Sequence, residues 1–463
     1  MDEQPDEQYI PRNYWLGVAN GALVMGGFAF LNVQAVVAVF LLRLGASPVM
    51  VGLVSALTFG TMLLLPLPFA PMVERAAHKK RFYVVSAVVR VVALVGLVGV
   101  VLLLRDASPW VLGGAVVAAL VVYRVGIAIG ILPFYELVAH SVPAQRRGSF
   151  FARRRVVGNV VKIGGAFLVG YLLDEGRSAL AFPDSYAAVF ACGLLLSGSG
   201  ALAFCFVTEP PMHVDRSGLG LWAKLREGVA ISRRDPTFRR LIACQLAGSM
   251  VMVASPFAVV YCLKVLGLLD GGAGGSGSEG GAVQVFLLTA GVTFMIALPI
   301  WARVSDRVGN AAVLRSAYLL RIAAPLLALA LPFLGSDVIE PAAWGVTPQW
   351  IGAVGLAVLL NAASCGVQLG GLNYMLEMAP REHRPRYMAM WKVAIAPVVI
   401  VAPLLGGWLA DALDVYWPCF AIAGVFAVVT AVLALRLDEP RDQGAAGGEV
   451  SECPQPGDAS SWS

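Results

Sequence analysis

Charge is scarce in this 463-residue sequence: Asp, Glu, Lys and Arg together make up 14% of it, against about a quarter in soluble chains. A soluble chain of this length would divide into several domains, each needing a charged surface, and there is too little charge to cover them. All four histidines (His78, His140, His213 and His383) lie at or beyond the ends of apolar runs, and none pairs with Cys or carboxylates at metal-ligand spacing. The seven cysteines are scattered, most of them inside apolar runs such as those around Cys192, Cys205 and Cys244. That excludes a disulfide framework and reads as small apolar packing. No Gly-x-Ser-x-Gly elbow and no phosphate-binding loop is found, so no enzyme, metal or cofactor is expected, and no nucleotide-driven pump within one chain.

What is abundant is apolar surface. Hydrophobic residues make up 58% of the chain, and the mean hydropathy is +0.76. A membrane span needs ~20 apolar residues to cross ~30 Å of hydrocarbon. Runs of that length fall at 15–42, 49–72, 83–104, 110–139, 156–173 and 186–207, then at 241–266, 283–301, 312–334, 350–378, 388–410 and 415–435. The expected fold is all-α, with twelve membrane-spanning helices in two bundles of six. Gly (50) and Pro (27) are frequent without forming long linkers, as membrane helices allow.

Of the 34 Lys and Arg residues, 26 fall in one set of alternating loops, four (Arg43, Arg105, Arg177 and Lys264) in the other, and four (Arg90, Arg124, Lys162 and Arg321) within spans. Positive residues are retained on the cytoplasmic side, so both termini are assigned there, in a multi-pass protein of the cell membrane. The resulting organisation is a tail at 1–13, a bundle at 14–207, a linker at 208–240, a second bundle at 241–436 and a disordered tail at 437–463. The first residues, MDEQPDEQ, are acidic, which does not fit a signal peptide. Residues 271–281 read as a flexible outer loop. Leu219, Trp222, Leu225 and Val229 recur at helical spacing among basic residues, which suits a short surface helix or a solvated linker.

The two groups of six spans are copies of one unit. Pro143 and Pro380, Arg147 and Arg384, Phe150 and Tyr387, and Asp174 and Asp411 are each 237 positions apart. In both copies the following helix ends in Gly-aromatic-Leu-x-Asp, at Gly170–Asp174 and Gly407–Asp411. Val73-Glu74-Arg75 matches Ser305-Asp306-Arg307 at an offset of 232. Two six-helix halves in the same orientation, with the run Ala302-Arg303-Val304-Ser305-Asp306-Arg307-Val308-Gly309 after the eighth span, resemble the major facilitator superfamily. The N-terminal copy of that signature, at 70–79, has Glu for Asp and Ala for both glycines.

The resemblance implies a solute carrier whose first, fourth, seventh and tenth helices line a cavity. The polar residues at the centres of those helices are Asn32 and Gln34; Tyr123 and Arg124; Gln245, Ser249 and Ser255; and Asn361, Ser364 and Gln368. Arg124 stands near mid-span, where a charge costs at least ~2.5–3.5 kcal/mol, and is the foremost candidate for binding an anionic group or setting a neighbour's protonation. Its repeat partner is Asn361. Glu136 with Lys162, and Glu377 with Lys392, are expected to form buried pairs or to serve coupling. Arg90 and Arg321, at matched depths, are expected to be structural. Glu74, Arg75, Asp306, Arg307 and Gly309 are read as a cytoplasmic gate, with ordinary loop charge as the plain alternative.

No carboxylate lies at mid-depth, which tilts the expected solute toward neutral or anionic. The expectation is therefore a monomeric, proton-coupled (or Na⁺-coupled) carrier of a small organic solute working by alternating access in the bilayer, with no nucleic-acid partner. An efflux antiporter for cationic or amphipathic compounds and a non-transporting solute sensor on the same fold are the alternatives.

Overall fold

The structure, a computed structural model, describes residues 10–209, 226, 229, 235–268, 279–335, 347–380 and 384–439, without the side chains of Ile10, Glu74, Ala144, Gln145 and Pro385. Among the described residues, twelve helices are long and apolar enough to span a membrane. They are α1 (Pro11–Arg43), α2 (Pro48–Val73), α3 (Lys80–Leu103), α4 (Pro109–Ser141), α5 (Arg146–Leu173) and α6 (Asp184–Phe204), then α7 (Pro236–Val265), α8 (Glu279–Arg307), α9 (Asn310–Phe333), α10 (Pro348–Met378), α11 (Arg386–Leu413) and α12 (Trp417–Ala434). Four of them open on a capping residue followed by Pro: Ser47-Pro48, Ser108-Pro109, Asp235-Pro236 and Thr347-Pro348. Proline at the first helical position gives up an N–H that has no partner there anyway. The Asp235 and Thr347 side chains accept from Phe238 N and Trp350 N, satisfying another.

The repeat seen in the sequence governs packing. α1 lies on α5 and α6, α3 on α4 and α6, and α2 on α4; α7 lies on α11 and α12, α9 on α10 and α12, and α8 on α10. The halves meet along two seams, α2 on α11 and α5 on α8, and these exchange under the same symmetry. The motif glycines are at the seams. A Cβ on Gly407 would stand 2.7 Å from the Pro48 carbonyl oxygen, and one on Gly52 2.3 Å from the Pro403 carbonyl oxygen. On the other seam, a Cβ on Gly280 would stand 2.7 Å from Asp174 N, and one on Gly170 2.1 Å from the Gln284 side chain. Small residues thus let backbones touch where the halves meet.

The core is divided unevenly along the membrane normal. At the end away from the termini, one continuous buried apolar cluster draws on all twelve helices. At the terminus end the core splits in two. One cluster, around Phe134, Phe150 and Phe204, belongs to the first half, and the other, around Phe238, Tyr318 and Tyr374, to the second. The halves are sealed at the far end and separate at the terminus end.

Two helices break near their middles. α1 runs helically over Ile10–Phe30, interrupts at Leu31 and Asn32, passes through a π turn at Val33–Val37 and resumes over Ala38–Arg43. Its counterpart α7 is helical over Pro236–Ser249, tightens into 3-10 turns at Met250–Val253 and Ser255–Phe257, and resumes over Ala258–Val265. Irregular backbone at membrane depth is tolerated where it lines a protein cavity.

Three local expectations change. Glu279–Gly281, read as loop, begin α8, where Glu279 joins an ion pair described below. Residues 437–439, read as disordered tail, turn back onto α9 and its neighbours. Helix α7 starts at Pro236, inside the stretch read as linker. The surface helix expected at 219–229 lies outside the described residues, apart from Arg226 and Val229, which are helical.

Candidate solute cavity

The break in α1 is built by Asn32. Its side-chain oxygen accepts from Gln34 N at 3.0 Å and Ala35 N at 2.9 Å, capping the outer part of the helix. That turn presents Gln34 to the other half, where its Nε2 donates to Ser255 Oγ, in the break of α7, at 2.7 Å. Beside this bridge is a cavity of about 290 Å³, walled by both halves. Of the expected residues, Asn32, Gln34, Ser255, Asn361 and Ser364 line it.

Two cations line it as well. Lys162 comes from α5 and Arg321 from α9. Lys162 was expected to pair with Glu136, but Glu136 Oε2 instead accepts from Lys79 Nζ at 2.9 Å. Lys79 stands at the start of α3 and reaches the carboxylate at the terminus end of α4, whereas Lys162, about four turns up α5, faces the cavity. Among the described residues Lys162 has no hydrogen bond and no ion pair. Arg321 gives Nη1–H to the Gly248 carbonyl at 3.0 Å, one turn before the α7 break, and its guanidinium lies 5.4 Å from the Tyr318 ring. Its expected structural part is therefore joined by a place in the cavity wall.

Arg124 is not in that wall. It packs with its guanidinium 5.6 Å from the Phe28 ring and 5.9 Å from the Tyr123 ring, its Nε buried without a partner. Tyr123 is fully buried and shares a 2.6 Å hydrogen bond with Ser197. Gln245 accepts from the Tyr318 hydroxyl at 3.2 Å, Ser249 donates back to the Gln245 carbonyl at 2.7 Å, and Gln368 is exposed; none of the three lines the cavity. These side chains sit on faces of α4, α7 and α10 turned toward neighbours within their own half or away from the cavity, which helix number alone does not specify. Lys392, expected to pair with Glu377, likewise has no hydrogen bond or ion pair among the described residues.

At the terminus end, Asp306 and Arg307 are exposed and form no ion pair among the described residues, while the Glu74 side chain lies outside them and Arg75 is exposed. The capping carboxylates there are two others. Glu439 accepts from Asn310 N at 3.3 Å and Ala311 N at 2.9 Å, at the start of α9. Glu209 accepts from Lys79 N at 2.5 Å and Lys80 N at 3.3 Å, at the start of α3. The signal was the repeated Glu-Pro after the last span of each half, at 209–210 and 439–440. Gly309 has φ +114, and a Cβ there would stand 2.2 Å from a Glu439 carboxylate oxygen, so this glycine is needed both for its backbone and for the cap beside it.

At the sealed end, Arg43 closes α1 with an ion pair to Glu175 and a second, at 3.4 Å, to Glu279 of α8. Lys264 ends α7 in the equivalent way, 3.9 Å from Asp414 and 5.6 Å from the Tyr416 ring, as Arg43 lies 4.8 Å from Phe182.

The sequence pattern described as Major Facilitator Superfamily matches residues 18–339 and 274–454. The chain belongs to the Major Facilitator Superfamily. An uncharacterized protein of Mycobacterium tuberculosis is 23% identical over 377 residues, 79% of this chain and 66% of its own length, so the chain spans just under two thirds of that relative. Among solved structures, the fold is similar to a D-xylose-proton symporter, with TM-score 0.68 at 14% identity over 94% of this chain and 99% of that one. It is also similar to a bacterial homologue of the iron transporter ferroportin in its inward-facing state, with TM-score 0.66 at 13% identity over 92% and 99%. Family membership makes the twelve helices those of a multi-pass transporter fold.

Proposed function

We propose that the chain is a secondary active transporter that moves a small organic solute across the cell membrane by alternating access, with a proton as the coupling ion. The observation that carries this reading is the uneven core: the two halves share one apolar seal at the far end and have separate cores at the terminus end, with a polar cavity just below the seal. That is the arrangement of a carrier open on one side, and the broken helices α1 and α7 are where its shape can change with least loss of backbone bonding. With the termini in the cytoplasm, as the charge bias implies, the open side faces inward.

Among the described residues, the cavity wall holds no Asp, Glu or His. A coupling proton would therefore travel on Lys162 or on the solute itself, and Glu136, held by Lys79, is left with a structural part.

The test is flux. Purified protein in liposomes with an imposed pH gradient should accumulate a solute found by thermal-shift screening, because a ligand bound to the folded state raises the melting temperature. A ligand that binds tightly yet shows no movement under any gradient of pH or Na⁺ would replace the carrier with a sensor on the same fold.

A further inference from the structure

Lys162 and Arg321 come from opposite halves, α5 and α9, and line one cavity whose wall, among the described residues, holds no acidic side chain. Lys162 has no hydrogen-bond or ion-pair partner among the described residues. Arg321 has five N–H donors and gives one of them to Gly248 O. Each charge at this depth is costly unless something offsets it. Elsewhere in the chain cations at helix ends do find acids, as Lys79 finds Glu136 and Arg43 finds Glu175 and Glu279. The cavity wall holds two cations with no acid among the described residues; Arg124 and Lys392, also without one, lie outside it.

The rest of the wall narrows the choice. Asn32, Asn361 and Ser364 offer neutral hydrogen-bonding groups, and Phe286 and Leu356 offer apolar surface. About 290 Å³ is at the small end of ligand cavities, which run ~300–1,000 Å³.

We infer that this cavity is an oxyanion site: a carboxylate or phosphate group of a small solute sits between the Lys162 ammonium and the Arg321 guanidinium and supplies the counter-charge both lack. The remainder of the solute meets the amides and the apolar wall. That the bound anion is also carried rests on the transporter reading above; that it binds rests on the cavity wall alone.

The experiment uses the purified full-length protein at fixed ionic strength, with succinate, inorganic phosphate, xylose and tetraphenylphosphonium as probes, read by thermal shift and titration calorimetry. Succinate or phosphate should stabilise the protein, and xylose and tetraphenylphosphonium should not; whichever oxyanion binds tighter names the head group. Lys162→Gln should weaken oxyanion binding about ten- to a hundredfold, the value of a hydrogen bond to a charged group, while Lys162→Arg keeps it within a few fold. Because Lys162 forms no hydrogen bond or ion pair among the described residues, the ligand-free melting temperature of Lys162→Gln should be unchanged or higher, which separates lost binding from lost folding. Oxyanion binding that is unchanged in Lys162→Gln, or stabilisation by xylose or tetraphenylphosphonium alone, overturns the assignment. Oxyanion binding without flux in liposomes upholds the site and removes the carrier; flux of a neutral or cationic solute without oxyanion binding does the reverse.

Discussion

Arg43, the last residue of α1, and Glu279, the first of α8, form an ion pair at 3.4 Å that ties the two halves together at the sealed end. The same carboxylate accepts from the Tyr186 hydroxyl at 2.7 Å, so one acid joins α1, α6 and α8.

Glu279→Gln should keep the tyrosine contact and lose the charge pair, making the sealed end open more often. The pair is partly buried, at 26% and 14% side-chain exposure. A loss of about 1 kcal/mol, roughly a fivefold shift toward the form open at the far end, is expected. Spin-label distances across the far end check this; distributions unchanged in both Glu279→Gln and Arg43→Gln would mean that the pair is ornamental to the seal.

The seam glycines should resist any side chain. A Cβ on Gly52 would stand 2.3 Å from the Pro403 carbonyl oxygen, with backbone rather than a flexible side chain in the way. Gly52→Ala should cost about 1–3 kcal/mol of closure and reduce transport about tenfold or more. Gly114→Ala, where nothing lies within 4 Å, is the control and should be silent. Equal effects at the two positions would show that helix propensity, not the seam, is being measured.

Gln34 and Ser255 should be energetically coupled. Their 2.7 Å hydrogen bond crosses between the halves beside the cavity. In a double-mutant cycle with Gln34→Ala and Ser255→Ala, solute affinity should show a coupling of about 1 kcal/mol. Strict additivity would place the two side chains in separate roles.

The two capping carboxylates should matter for stability more than for transport. Glu209→Gln and Glu439→Gln each remove a charge from a helix start and should lower the melting temperature by a few degrees, about 1 kcal/mol each. Gly309→Ala should be worse than Glu439→Gln, because it meets the same carboxylate at 2.2 Å and must also hold φ at +114. A Gly309→Ala protein as stable as the parent would remove the cap from the account.

Much of the fold was legible because hydropathy and loop charge are properties of runs, and runs survive errors of a few residues. The twelve helices follow the expected order, and the 237-residue offset lands Gly170 and Gly407 on matching seams. The site was less legible because it depends on helix rotation. Arg124 and Asn361 are repeat partners, yet only Asn361 reaches the cavity, while Arg124 turns to Phe28 and Tyr123. Lys162 and Glu136 are on consecutive helices, but Glu136 is at the terminus end of α4, where Lys79 reaches it, and Lys162 stands far along α5 in the cavity wall. The breaks in α1 and α7 do not end either apolar run, since Asn32 and Gln34, and Ser255, are flanked by Leu31 and Val33, and by Val253 and Phe257. Arg321 gave a warning that could have been weighed differently: a buried cation on a helix with no acid at its depth has to face something.

The two seams also bear on how alike the halves remain. Under the repeat offsets, Gly170 on α5 matches Gly407 on α11, Gly280 on α8 matches Pro48 on α2, and Gln284 matches Gly52. The halves therefore join as protomers of a twofold dimer would, each offering the other the same patch. Fusion into one chain lets the two copies of that patch differ. On one seam, α2 against α11, Gly52 and Gly407 meet only backbone. The other carries Gln284 and, at its rim, the Arg43–Glu279 pair, groups that water can replace. The α5–α8 seam is therefore the more polar of the two.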